Sequence, residues 1–110
     1  MIDTKYKKDL IEIADKLGYE EQSMQLIEEM AELTQAISKY RRYKDTEDFL
    51  NLVEELADVN IVLEQVVYLL NKEIKNETDD YIINHFNEVV DYKIKRVKKR
   101  IARNSISTEV

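Results

Sequence analysis

Phe49-Leu50-Asn51-Leu52-Val53-Glu54-Glu55-Leu56-Ala57-Asp58-Val59-Asn60-Ile61-Val62-Leu63 is the stretch whose reading decides the fold. Its apolar residues Phe49, Leu52, Val53, Leu56, Val59 and Leu63 recur three and four apart, the period of a helix face rather than the alternation of a strand. Two acids break into that pattern. Glu55, Val59, Val62 and Val66 follow one another at +4, +3 and +4, so Glu55 stands in line with three valines. Asp58 precedes Val62 by four residues and shares that side of the helix. Upstream, Glu29 and Glu32 form a second acidic pair, with Glu29 set between Leu26 and Leu33 at the same spacings. Carboxylates turned toward a core are costly unless they are paired, protonated or bound to a cation. Four of them without basic partners at matching spacings point to a hard divalent metal.

Working outward, four helical segments emerge. The first runs from about Asp3 to Leu17, with Tyr6, Leu10, Ile13 and Leu17 on one face and Gly18 as its C-terminal stop. The second, about Glu20 to Tyr43, carries Leu26, Met30, Leu33, Ile37 and Tyr40. Lys44-Asp45-Thr46 breaks it, and Asp45 or Thr46 is placed to cap the third segment, about Glu47 to Lys75. Asn76-Glu77-Thr78 is a polar connector, with Thr78 or Asp79 as the next cap. The fourth segment, about Asp80 to Arg103, carries Ile82, Phe86, Val89, Val90, Ile94, Val97 and Ile101. Short connectors between long amphipathic helices predict an all-α four-helix bundle, a single domain over residues 1–104 with a disordered tail over 105–110. The third segment is apolar over so wide an arc that it is expected at the centre, against a second subunit.

Composition narrows the classes. There is no proline and one glycine, which argues against a sheet protein built on tight turns. Hydrophobic residues at 44% exclude disorder for most of the chain, and no run reaches the length of a membrane span. The N-terminus lacks the apolar stretch of a signal peptide, and the absence of cysteine fits a reducing cytoplasm. Charge is uneven. Residues 1–92 hold 10 Lys/Arg and 22 Asp/Glu, while residues 93–110 hold 7 and 1. The basic block Lys93, Lys95, Arg96, Lys98, Lys99, Arg100 and Arg103 is either a solvated helix end or a set of phosphate contacts. Binding to a nucleic-acid duplex is disfavoured because the rest of the chain is acidic and would be repelled.

Two extended motifs, Ile27-Glu28-Glu29-Met30-Ala31-Glu32-Leu33 and Val53-Glu54-Glu55-Leu56-Ala57-Asp58-Val59, resemble the signature of the MazG-like all-α nucleoside triphosphate pyrophosphohydrolases, ExxE, a spacer, then ExxD. The resemblance extends through Gln35-Ala36-Ile37-Ser38-Lys39 and reaches Tyr92-Lys93-Ile94-Lys95-Arg96, similar to the family's late Lys/Asn/Arg stretch. It covers roughly Gln22 to Arg100, and departs where Lys95 stands in place of the asparagine of many relatives.

The resemblance implies cleavage of a nucleoside triphosphate, deoxynucleotides included, between its α- and β-phosphates. It implies that Glu29, Glu32, Glu55 and Asp58 hold Mg²⁺, with Mn²⁺ as a substitute. Glu28 or Glu32 is then the candidate to take the proton of the attacking water, and Lys39, Lys93 and Arg96 are the candidates for phosphate contacts. The expected assembly is a homodimer or homotetramer. Gln22 and Gln25 are candidates to read a base edge, and packing is the better reading for Tyr40, Tyr43 and Phe49. His85 is assigned no chemistry. The alternative is a non-catalytic helical interaction or regulatory module that keeps the family fold.

Overall fold

The computed structural model describes residues 1–74 and 81–109, with the side chains of the last helix described over 84–105. The connector Asn76-Glu77-Thr78 and the caps expected at Thr78 or Asp79 lie outside the described residues. A 3-10 turn, Thr4–Tyr6, leads into α1 (Lys7–Tyr43), followed by α2 (Thr46–Glu73) and α3 (Tyr81–Glu109). The protein is all-helical, with no strand among the described residues. It divides into two units, residues 1–75 and 76–110.

The first two expected segments join as α1, in which only Gly18 leaves helical geometry, at φ 84 and ψ 167. The contacts on either side reveal what this break does. Leu10 meets Gln65, and Asp15, further along, meets Tyr68 and Lys72, so the limb before Gly18 runs in the direction of α2. Beyond Gly18, Gln22 meets Gln65 and Tyr40 meets Phe49, so the second limb runs against α2. The chain therefore reverses at its one glycine.

The hairpin between α1 and α2 is closed by local chemistry. Lys44 adopts the left-handed conformation at φ 51, and its N–H donates to the Tyr40 carbonyl at 2.9 Å, the helix-ending geometry usually supplied by glycine. Asp45 then accepts from the Asp48 N–H at 2.8 Å and caps α2, as one of the two alternatives expected.

The seam between the limbs differs from the stripe that hydrophobic spacing suggests. Met30 and Ile37 of α1 are 53% and 43% exposed, whereas Gln22, Glu29 and Ala36, spaced by sevens, turn toward α2. The seam carries polar residues and a small one, so the apolar period points to the neighbouring arc. Its buried members are Ala14, Gln22 and Ala36 from α1 with Val62, Gln65, Val66 and Leu69 from α2. Ala14 and Ala36 leave room for close approach, and in the seam the Gln22 amide donates to the Gln65 side-chain oxygen while the Gln65 amide donates to the Leu10 carbonyl. On α2, Glu55 stands in line with buried Val62 and Val66, as its spacing predicts. Phe49, Val53 and Leu63 lie on the exposed apolar flank.

α3 runs to Glu109, past Arg103 where the periodic pattern stops. Its apolar stripe, including Phe86, Ile94 and Ile101, is exposed, and Lys95 pairs with Asp91 at 2.9 Å.

A candidate metal centre on the helical hairpin

Antiparallel packing brings the two acidic pairs to the same level of the hairpin. Glu29 and Glu32 come from the second limb of α1, one turn apart, and Glu55 reaches across from α2. One carboxylate oxygen from each lies within 4.8 Å of the other two. Asp58 stands beside them, close enough for its charge to act on Glu55, but outside that triad. Glu32 is exposed and opens the cluster to solvent, while Glu29, Glu55 and Asp58 are half-buried.

Two oxygens define the chemistry. Oε2 of Glu29 and Oε2 of Glu55 are withdrawn from water and have no hydrogen-bond partner. The other oxygen of Glu29 is occupied, because the Gln25 amide donates to Oε1 at 2.7 Å. Among the described residues no salt bridge reaches Glu29, Glu32, Glu55 or Asp58. Burial holds the Glu55 carboxyl above its ordinary pKa, and the neighbouring charges of Glu32, Asp58 and Glu29 push the same way. Converging carboxylates that are partly desolvated and lack a counter-charge are satisfied by a proton or by a cation. An all-oxygen donor set of this kind, with unused lone pairs and one open side, fits a hard divalent ion such as Mg²⁺ or Mn²⁺.

The other expected site residues fall elsewhere. Glu28 is exposed and outside the triad. Lys39 is exposed and its charge acts on Asp48, at the N-terminus of α2. Lys93 and Arg96 lie on α3, in the other unit, both exposed. Gln22 and Gln25 donate through their amides, to Gln65 and to Glu29. Tyr40 and Phe49 pack on each other with ring centroids 5.8 Å apart, and the guanidinium of Arg42 stands over the ring of Tyr43. His85 is exposed beside Glu88. Away from the acids, Thr34, Ile37, Ser38, Arg41 and Arg42 line an open depression of about 520 Å³ on the arc of α1 turned from α2.

Sequence reasoning missed the part played by Gln25, although a signal was present in its position four residues before Glu29. It also missed the Gln22–Gln65 pair, because nothing local marks two glutamines as partners across 43 residues. No family model, curated protein or solved structure matches this chain.

Proposed function

We propose that this chain is a divalent-metal-dependent hydrolase that cleaves a nucleoside or deoxynucleoside triphosphate to the monophosphate and pyrophosphate, clearing unwanted nucleotides from the cytoplasm. The observation that carries the reading is the carboxylate triad across the hairpin, with its two buried, unpartnered oxygens. The resemblance of the Glu28–Glu32 and Glu54–Asp58 segments to the MazG-like signature supplies the reaction class.

In this reading Glu29, Glu32 and Glu55, with Asp58 alongside, hold Mg²⁺. A divalent ion held there would supply positive charge to offset that of the substrate phosphates and to make water a better nucleophile. Glu32, the exposed member, or Glu28 accepts the proton that the attacking water loses. As the water oxygen bonds to one phosphorus of the α–β phosphoanhydride, the bond from that phosphorus to the bridging oxygen breaks, and the bridging oxygen departs with the other product, giving the monophosphate and pyrophosphate. Lys39, Lys93 and Arg96 are assigned to the phosphates, which need cations beside an acidic metal site. The working form is a four-helix bundle in a homodimer or homotetramer, supported by the exposed apolar flank of the hairpin.

That bare flank also favours a second reading, a non-catalytic helical module that binds a protein partner through it. Pyrophosphate release from a panel of ribo- and deoxynucleoside triphosphates, with Mg²⁺ and with EDTA, separates the two. Metal-dependent release from any of them establishes the hydrolase. Silence across the panel, with no Mg²⁺ binding by calorimetry, leaves the interaction module.

A further inference from the structure

We propose that Gln25 is a positioning residue for this centre: its amide clamps one oxygen of Glu29 and so turns the other toward Glu32 and Glu55. The inference rests on the cluster being a divalent-cation site. A carboxylate at the end of a glutamate side chain rotates in a broad torsional well, so a ligand oxygen must be oriented by something outside the ligand itself. Gln25 lies one helical turn before Glu29, both side chains are half-buried, and their bond of 2.7 Å is in the range of charge-assisted hydrogen bonds. A carboxylate only accepts, so the glutamine must donate through Nε2, which settles the orientation of its amide. With Oε1 taken, Oε2 of Glu29 is the oxygen left for the cluster, and it is the one withdrawn from water without a partner.

The choice of an amide is itself informative. A lysine four residues before a glutamate would be the ordinary helix-stabilising partner in reverse order, but its charge would neutralise part of the cluster and compete with the metal. A neutral donor orients the carboxylate and leaves the whole negative charge for the cation. Gln25 thus differs from a surface i,i+4 pair in what it leaves free on its partner.

The test uses the whole chain, with Mn²⁺ affinity read by calorimetry and thermal melting read in EDTA. Gln25→Met keeps length and loses the donor. It is expected to weaken Mn²⁺ binding by roughly 10- to 100-fold while leaving the melting temperature in EDTA near that of the unaltered chain. Gln25→Lys keeps a donor but adds charge, and is expected to raise the melting temperature in EDTA while still weakening Mn²⁺ binding. Equal Mn²⁺ affinity in Gln25→Met and the unaltered chain overturns the positioning role and leaves the metal centre standing. Restoration of full affinity by Gln25→Lys overturns the neutral clamp, and a fall in the EDTA melting temperature of Gln25→Met reduces the residue to a structural one. No Mn²⁺ binding by the unaltered chain removes the centre and the proposal with it.

Discussion

Glu55 concentrates the tension of the metal centre in one residue. It is half-buried, faces Glu32 and Glu29 within the triad, feels Asp58, and has one oxygen with no partner at all. Glu55→Gln removes a charge from a repulsive group and a ligand from the proposed centre. The expected outcome is loss of metal-dependent pyrophosphate release together with an equal or higher melting temperature in EDTA; near-normal hydrolysis would mean that Glu55 is no ligand. The pH dependence has a definite sign. Because the folded protein raises the Glu55 pKa, its contribution to stability is present in full below the ordinary carboxylate range and is lost as pH rises through the raised value. Asp48, raised by burial and by Asp45, acts in the same direction, whereas Asp15, lowered by its bonds to Lys72 and Tyr68, acts in the opposite one and only at lower pH. Melting in EDTA should therefore rise as pH falls from neutral to mildly acidic, and the rise should shrink in Glu55→Gln. The involvement of Glu55 was legible in the sequence, since an acid in line with valines is visible from spacing alone. The orientation of its neighbour Glu29 by Gln25 was not, because side-chain torsions leave no periodic trace.

Between α1 and α2, register matters more than area. Gln22 and Gln65 lie one heptad from Glu29 and Asp58, so the amide pair and the acids belong to one seam. Gln65 also donates to the Leu10 carbonyl at 3.1 Å and so ties the first limb to the same point. Gln65→Ala leaves the buried Gln22 amide unsatisfied and should cost about 1–3 kcal/mol by denaturant unfolding. Replacing both glutamines by leucine should recover much of that stability, yet weaken Mn²⁺ binding, because an apolar seam fixes register less strictly than a bonded pair. Undiminished Mn²⁺ affinity in the double variant would detach register from the centre. Gly18 poses the complementary case. Its backbone at φ 84 and ψ 167 is open almost only to glycine, and a Cβ there would meet nothing within 4 Å. Gly18→Ala should therefore cost of order 1–3 kcal/mol through backbone strain alone, and no enlargement of the surrounding space should relieve it. Sequence placed the end of the first limb at Gly18, since a lone glycine after a periodic run is a stop signal. It did not reveal that the chain doubles back there, because direction depends on tertiary contacts such as Leu10 with Gln65.

For the whole molecule the unsolved quantity is exposed apolar surface. Met30, Ile37, Phe49, Val53 and Leu63 lie bare on the hairpin, and Phe86, Ile94 and Ile101 lie bare on α3. The sequence already carried this imbalance, in helices too apolar to be coated on one side only, but spacing could not say which arc would pair within the chain and which would be left over. The seam took the arc of Gln22, Glu29 and Ala36, and the richer apolar arc was left outside. Leu63 is the useful probe, since it is 45% exposed, more than two helical turns beyond Glu55 along α2 and without a polar bond to disturb. In an isolated chain Leu63→Glu would be a surface substitution, changing stability by no more than about 0.5 kcal/mol. In a homo-oligomer held by this flank it would bury an unpaired charge at the interface and drive the copies apart. The expected result is that the unaltered chain sediments as a dimer or tetramer with a concentration-dependent melting temperature, and that Leu63→Glu sediments as a monomer whose melting temperature no longer depends on concentration. An unaltered chain that sediments as a monomer at every concentration would leave this flank to a partner of another kind and strengthen the interaction-module reading over the hydrolase.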